Sequence, residues 1–296
     1  VATTPQFFCG VAGAVASLFR KETFILEVRD IWPESIDAVG SGIGKWPLQL
    51  LNRMAQWMYA RSRLIVTVGP GYAEKLREWH AIEERKIAVI PNGIDPGFFH
   101  SRDDKTERRF LQNFGITDEF VVAYVGTIGM AHGLEVVLEA ADWLRHNDRI
   151  VFLVAGDGAR RPALQKRARE QKLPNVRFTG LVPKESIPVL LHECDACLVH
   201  LLRRDLFRSV LPSKLFEAMA AGRPVLLGVE GDAARVLGEA DAGLGFEPEN
   251  AGQLVDRVLR LSRDSNEAKR LSRNGRAFVV ERYTRDEMAA RYLGHM

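Results

Sequence analysis

Leu211-Pro-Ser-Lys-Leu-Phe-Glu-Ala-Met-Ala-Ala-Gly-Arg-Pro-Val225 is the stretch on which the reading of this chain turns. Pro212 and Ser213 suit a helix start, with Ser213 as the N-cap, and Gly222 suits its end. Pro224 then opens an apolar strand over 224–229. Lys214 and Glu217 stand three apart and share one face of this helix near its N-terminus. A cation there can meet a phosphate, and a carboxylate there can accept two hydrogen bonds from a ribose diol. The alternative is a surface Lys–Glu pair on an amphipathic helix.

Outward from this helix–strand junction the chain alternates apolar runs with helical spacing. Upstream, strands are predicted at 120–125, 150–155, 176–179 and 196–200, and helices at 133–146, 161–171, 186–193 and 213–221. Downstream, helices follow at 233–239, 250–263, 267–283 and from 285 to the end. The first stretch behaves in the same way, with strands at 23–29, 64–68 and 86–90 and helices at 46–61 and 71–79. Continuous apolar strands separated by helices predict parallel sheets covered on both faces. Pro91-Asn-Gly-Ile-Asp95 breaks the pattern with turn residues, and the charged stretch 101–109 reads as a connector. The chain is thus read as α/β, with two doubly wound Rossmann-like domains. Domain 1–95 is the incomplete first one, 96–115 the connector and 116–275 the second domain. Residues 276–296 form a helical end that returns to the first domain. Only about three strands are recognisable before Pro91, which predicts partly uncovered apolar faces at Phe24, Leu26, Val28, Leu64 and Val66.

Composition narrows the class. The 296 residues are 46% hydrophobic and 27% charged, which suits two globular cores. A net charge of +3 does not call for nucleic acid, but leaves room for a basic patch on anionic lipid or a diphosphate. No apolar run approaches the roughly 20 residues that span a bilayer. The start at Val1 lacks Met and the layout of a signal peptide, which reads as a fragment or a processed form. Three Cys argue for a reducing compartment. Cys194 and Cys197 form a C-x-x-C flanked by His192 and His200. A metal site there is outweighed by a helix-to-strand reading, in which the two thiols do not converge.

Other candidate residues follow strands, where such sheets hold ligands. Gly126-Thr-Ile-Gly129 with His132 and Gly133 offers backbone N–H groups and a helix start to a phosphate; the alternative is a plain turn. Gly156-Asp157-Gly158 reads first as a tight turn. Helix 46–61 carries Trp46, Leu48, Leu51, Met54, Trp57 and Met58 among Lys45, Arg53, Arg61 and Arg63. That pattern fits a core-facing helix with a solvated rim, or one that docks on anionic lipid.

Pro212-x-Lys214-x-x-Glu217-Ala-Met-Ala-Ala-Gly222-x-Pro224-Val resembles the signature of the large family of retaining GT-B glycosyltransferases of the family 4 type. Matching elements run in order along nearly the whole chain. Glu27-Val-Arg-Asp-Ile-Trp-Pro-Glu-Ser35 resembles an element of the branch similar to the fucosamine and N-acetylhexosamine transferases of O-antigen and capsule assembly. Pro91-Asn-Gly-Ile-Asp95, Val125-Gly-Thr-Ile-Gly129, Ala155-Gly-Asp-Gly158 and Phe178-Thr-Gly-Leu-Val182 follow.

The resemblance implies the GT-B fold, with two domains facing a cleft, and transfer of a sugar from a nucleotide diphosphate to an acceptor hydroxyl with retention. It implies a UDP-linked donor, no cofactor and no metal; the sequence has no D-x-D element. It also implies a lipid-linked acceptor and a cytoplasmic protein with peripheral contact to the inner leaflet. Glu217 matches the ribose-binding Glu of the family's pair, and Lys214 is a candidate diphosphate contact and catalytic cation, with Arg29 and Asp30 as further catalytic candidates. Gly126, Thr127, Gly129, His132 and Gly133 would pack against the donor phosphates, together with Gly156 and Gly158. Gly180, Leu181 and Val182 lie where the base is held. The chain departs from the pattern in three places. Ser209 stands where the pair's first Glu falls, and Thr127 and His132 stand where relatives carry basic residues. Arg29 stands where relatives often carry His. Lys214, Arg208 or Arg29 is expected to supply the missing charge. The resemblance also implies a further N-terminal portion, without which the chain binds donor but transfers poorly. Competing readings are a non-catalytic nucleotide-sugar-binding fragment and a nucleotide-sugar epimerase.

Overall fold

Unbroken apolar runs become the central strands, because a parallel strand is covered on both faces and needs no polar side. The computed structural model describes residues 1–295 except 5, 21, 39, 41, 43 and 100–107. Most of the charged stretch 101–109, including Asp103 and Asp104, therefore lies outside the described residues. The chain divides into two units, Val1–Asn92 with Arg204–Leu211 and Asp286–Met296, and Gly93–Arg203 with Pro212–Arg285.

The first unit runs β1 (Ala2–Thr3), α1 (Phe7–Arg20), β2 (Ile25–Val28), α2 (Glu34–Ala38), α3 (Lys45–Arg61), β3 (Leu64–Thr67), α4 (Pro70–His80) and β4 (Ile87–Val89). Its four strands are parallel and lie in sequence order. The predicted strand 23–29 is thus shorter, and β1 and α1 escaped the sequence reading. The expectation of uncovered apolar faces is corrected: Phe24, Leu26, Val28, Leu64 and Val66 are all buried. Helix α1 covers one face. A Cβ on its Gly10 would touch Met58 Sδ at 3.0 Å and Leu26 Cδ1 at 3.4 Å, so the bare glycine sets α1 close to α3 and the sheet. On the other side Met288 packs with Ile25, Leu64, Val66, Ala88 and Ile90, with Tyr292 beside them. Both belong to α13 (Arg285–Gly294) at the end of the chain.

The second unit contains α5 (Arg109–Gln112), β5 (Phe120–Val125), α6 (Glu135–Trp143), β6 (Ile150–Ala155), α7 (Arg161–Glu170), β7 (Val176–Gly180), α8 (Ile187–Glu193) and β8 (Ala196–His200). It continues with α9 (Ser213–Ala220), β9 (Val225–Gly228), α10 (Asp232–Ala240), β10 (Gly243–Gly245), α11 (Ala251–Arg263) and α12 (Ser265–Arg282). Six parallel strands take the order β10-β9-β8-β5-β6-β7, the doubly wound arrangement. The predicted helix from 133 begins later, at Glu135, because Gly133 takes a left-handed conformation (φ 52°) after a 3-10 turn over Met130–His132. The core packs Val122, Tyr124, Phe152 and Val154 of the sheet against Val137, Leu138, Leu254 and Val258 of α6 and α11.

The reading of the two cysteines is also corrected. Cys194 ends α8 in an extended conformation and Cys197 lies in β8, so the turn between them aims both side chains into one buried space. Their Sγ atoms lie 3.7 Å apart, and the Cys194 thiol also reaches the Leu191 carbonyl at 3.2 Å. The hydrogen bond with Cys194, and then burial, push the Cys197 thiol well above its ordinary range. Among the described residues no three His, Cys, Asp or Glu side chains converge on a metal position, and no helix is long and apolar enough to cross a membrane.

Candidate functional site

An open parallel sheet holds ligands outside the carboxyl ends of its strands, where the strand order reverses. In the second unit that point lies between β5 and β8. The chain segments there are the loop 126–133, the end of β8 at His200 and the start of α9.

Lys214 projects from the first turn of α9 toward β5. Its ammonium donates to the Tyr124 hydroxyl at 2.7 Å and lies 4.2 Å from the centre of that ring. The hydroxyl in turn donates to the Thr127 carbonyl at 2.5 Å. A Cβ on Gly126 would stand 3.1 Å from Lys214 Nζ, so the ammonium rests against bare backbone. Burial lowers the Lys214 pKa to about 8, and Glu217 acts in the opposite sense. The Glu217 carboxyl is raised by burial, while Lys214, the Ser213 hydroxyl and Arg285 pull it down. The two side chains therefore form a partly buried, mutually compensating pair, not a solvated one. Ser213 is not the N-cap. Pro212 holds that position, so Ser213 is already helical and its hydroxyl turns to Glu217.

His132 closes the other side of the loop. The Gly129 N–H donates to His132 Nδ1 at 3.3 Å, which assigns the ring proton to Nε2. Burial, with the Lys214 charge next, lowers the His132 pKa to about 3, so the ring is neutral at ordinary pH. His200 supports the loop from below. Its Nε2 accepts from the Glu249 N–H at 2.9 Å, and its Nδ1–H donates to the His132 carbonyl at 2.6 Å. A Cβ on Gly133 would stand 2.6 Å from Leu202 Cδ2, which explains the glycine there.

Gly156 and Gly158 do a different job. A Cβ on Gly156 would fall 1.9 Å from the Gly126 carbonyl oxygen, and one on Gly158 would fall 2.4 Å from that of Ile128. The loops after β5 and β6 lie back to back, joined by Ile128 N–H to Asp157 O at 2.8 Å and Arg160 N–H to Ile128 O at 3.0 Å. These glycines are required by loop-on-loop packing. At the end of β7, Gly180 faces the Arg161 guanidinium, which pairs with Asp157 at 3.1 Å. Leu181 beside it is 81% exposed, and Val182 is half-buried.

The remaining sequence candidates belong to the first unit. The Arg29 guanidinium is held by Glu27 at 2.9 Å. Asp30 follows β2, and its backbone is fixed by Thr4: the Arg29 and Asp30 N–H groups donate to Thr4 Oγ1 at 3.1 and 3.3 Å, and that hydroxyl donates to the Asp30 carbonyl at 3.0 Å. Burial raises the Asp30 carboxyl, and a contact of 3.4 Å from the Tyr72 hydroxyl works against that rise. Arg208 is exposed and Ser209 buried, in the segment Arg204–Leu211, which Lys75 anchors through Asp205 at 2.6 Å.

Sequence reading missed Tyr124, Arg161 and His200 as parts of this site. Tyr124 gave the clearest signal available, the one polar group in the apolar strand Phe120–Val125. Its link to Lys214, 90 residues away, had none.

Comparison with known proteins follows the same two-part division. A family model described as glycosyl transferases group 1 matches residues 106–278, and one described as Glycosyltransferase Family 4 matches residues 7–98. Among curated proteins the chain is 27% identical to a 2-deoxystreptamine glucosyltransferase of Streptomyces kanamyceticus, over 83% of this chain and 63% of that protein. It is 23% identical to O-antigen chain mannosyltransferase C of Escherichia coli, over 83% of this chain and 63% of that one. The chain thus spans less than two thirds of the length of these relatives. Among solved structures, Anabaena HepE in complex with UDP-glucose superposes with a TM-score of 0.82 at 17% identity, covering 99% of this chain and 76% of that one. A sucrose-phosphate synthase of Thermosynechococcus elongatus superposes with a TM-score of 0.79 at 20% identity, covering 97% and 70%. These likenesses establish the GT-B fold.

Proposed function

The chain belongs to the family of group 1 glycosyl transferases, and from that premise we propose that it moves a sugar from a UDP-linked donor to an acceptor hydroxyl with retention of configuration. The observation that carries this reading is the Lys214 ammonium held against Gly126 at the switch point, with Glu217 one turn along the same helix. Departure of a sugar leaves growing negative charge on a diphosphate. A cation fixed in place before the reaction, beside N–H groups of the loop 126–133, stabilises that charge without reorganisation. Glu217 accepts from the ribose diol, and neutral His132 offers an Nε2–H to a phosphate oxygen. Gly180, Leu181 and Val182 border the base, while Arg29 and Asp30 serve the acceptor side. The UDP assignment draws support from the Anabaena neighbour, solved with UDP and with UDP-glucose. Retention and an aminohexosyl-type sugar rest on the resemblance of the motifs alone.

The acceptor in this reading is lipid-linked, in cell-surface polysaccharide or glycolipid assembly on the cytoplasmic leaflet. Helix α3 supports it. At about 100° per residue, Trp46, Leu50, Arg53 and Trp57 fall on one face, and all four are exposed, Trp46 by 73%. Ala55, Met58 and Tyr59 face the core instead. Aromatic residues beside a cation fit the headgroup boundary of a membrane.

The deciding experiment offers UDP-sugars with and without a polyprenyl-diphosphate-linked acceptor, with products read by NMR. Acceptor-dependent UDP release and an unchanged anomeric configuration are expected. Epimerisation of the donor without acceptor overturns the reading. So does donor binding without transfer across the panel, which leaves a binding module.

A further inference from the structure

We propose that Tyr124 is the positioning residue for Lys214: its hydroxyl takes a hydrogen bond from the ammonium and passes one to the Thr127 carbonyl, fixing the cation over Gly126. This rests on the reading of Lys214 as the diphosphate contact and adds a residue that acts through it.

The direction of the two hydrogen bonds is forced. A lysine ammonium only donates and a backbone carbonyl only accepts. The hydroxyl between them must therefore accept from Lys214 at 2.7 Å and donate to Thr127 at 2.5 Å. Tyr124 has no freedom to move, being 1% exposed in the second strand-end position of β5. The strand-end loop 126–134 contains no Lys or Arg of its own. Its His132 is held neutral, largely by burial. The positive charge at the end of β5 therefore comes from α9, and Tyr124 ties it to the loop.

The groups facing the ammonium are Glu217 from its own helix, the Tyr124 ring from β5 and His132 from the 3-10 turn. Arg285 acts on Glu217, and Glu217 in turn contributes to the raised Cys197 thiol of β8. Glu217 favours the charged amine and burial opposes it. Tyr124 supplies an acceptor from which the charged amine gains more than the neutral one. Its removal should lower the pH at which Lys214 gives up its proton.

The test has a ligand-free arm and a binding arm. In ligand-free protein, lysine side-chain NMR follows Lys214, assigned by its absence in Lys214→Gln. A midpoint near 8 is expected for the native chain, with Tyr124→Phe lower by at least half a pH unit. In the second arm, calorimetry with UDP between pH 6 and pH 9 should show affinity falling as Lys214 deprotonates. Tyr124→Phe should weaken UDP binding about tenfold at pH 7.5, the scale of one hydrogen bond to a charged group; this exceeds the roughly 1.5-fold that a half-unit lower midpoint alone removes, because the cation also loses its place, and the loss should be smaller at pH 6. Lys214→Gln should be weak and flat with pH, and the double variant no weaker than Lys214→Gln alone. An unmoved NMR midpoint in Tyr124→Phe overturns the proposal, as does a loss equal at every pH or additive in the double variant. Should Tyr124→Phe fail to fold, fluorinated tyrosine at position 124, whose hydroxyl is a weaker acceptor, should lower the Lys214 midpoint in the NMR arm, and an unmoved midpoint there overturns the proposal. Absence of UDP binding by the native chain refutes the nucleotide reading, and the NMR arm then still decides the role of Tyr124.

Discussion

Gly156→Ala separates two explanations for a glycine-rich strand end. If Gly156 exists to let a phosphate approach, the substitution should spare the fold and damage nucleotide binding. The packing of the two loops predicts the reverse. Gly156 sits at φ 136°, and an added Cβ would fall 1.9 Å from the Gly126 carbonyl oxygen. That backbone conformation costs a non-glycine residue about 1–3 kcal/mol. Forcing a methyl into packed backbone costs roughly another 1–3 kcal/mol. Neither loop has room to yield, because Gly126 is fixed by its N–H to the Ala155 carbonyl at 2.9 Å and Gly156 by its N–H to the Gly180 carbonyl at 2.8 Å. For a unit of this size the combined loss corresponds to a fall in Tm of roughly 5–20 °C. Differential scanning calorimetry is the assay, with Gly238→Ala as the control. Gly238 lies inside α10 with nothing within 4 Å of an added Cβ, and that variant should gain about 0.5–1 kcal/mol from helix propensity. A Gly156→Ala protein with native Tm and lost UDP affinity would refute the packing argument.

Three further outcomes are expected. Glu217→Ala should weaken UDP binding by about 1.5–3 kcal/mol, the scale of hydrogen bonds to a charged group, and calorimetry with deoxyribose analogues should show no further loss in the variant. His132 has a folded pKa depressed to about 3 from an ordinary 6.5, so its contribution to stability is present above 6.5 and is lost as pH falls toward 3. Denaturant titrations over that window should show a slope from this group of up to about 1.4 kcal/mol per pH unit, and His132→Gln should remove it. EDTA should leave sugar transfer intact; loss restored by a divalent cation would contradict the metal-free reading.

Much of the second unit was legible because its strands are continuous apolar runs bounded by polar or glycine residues. Phe120–Val125 and Ile150–Ala155 follow that rule to the residue, and Ala196–His200 ends on its own polar residue. Strand β10, Gly-Leu-Gly, carries no such signal and forms only because β9 presents an edge to it. The helix bearing Lys214 and Glu217 was legible too, but its burial was not. What buries Lys214 is a tyrosine on a strand far away in sequence, and periodicity in the helix says nothing of that partner. The two cysteines elude the sequence for a related reason: a helix end and a strand start suggest divergence, and the turn between them folds both side chains inward. Gly156 and Gly158 could be recognised as special, but whether a phosphate or a neighbouring loop demands them is a question of tertiary contact.

The first unit is stitched from three separated stretches of chain, the last of them Asp286–Met296. Its strands precede the second unit along the chain, but Met288, which covers them, follows the whole of that unit. Leu206 and Phe207, buried in the same unit, arrive after most of the second sheet. During synthesis the early half must therefore wait with part of its apolar face open, while β5 to β9 and the helices between them can close on themselves. Domains usually mature from the N-terminus onward; here the order of completion is inverted. A ribosome stalled before residue 286 would display a finished second sheet and an unfinished first one.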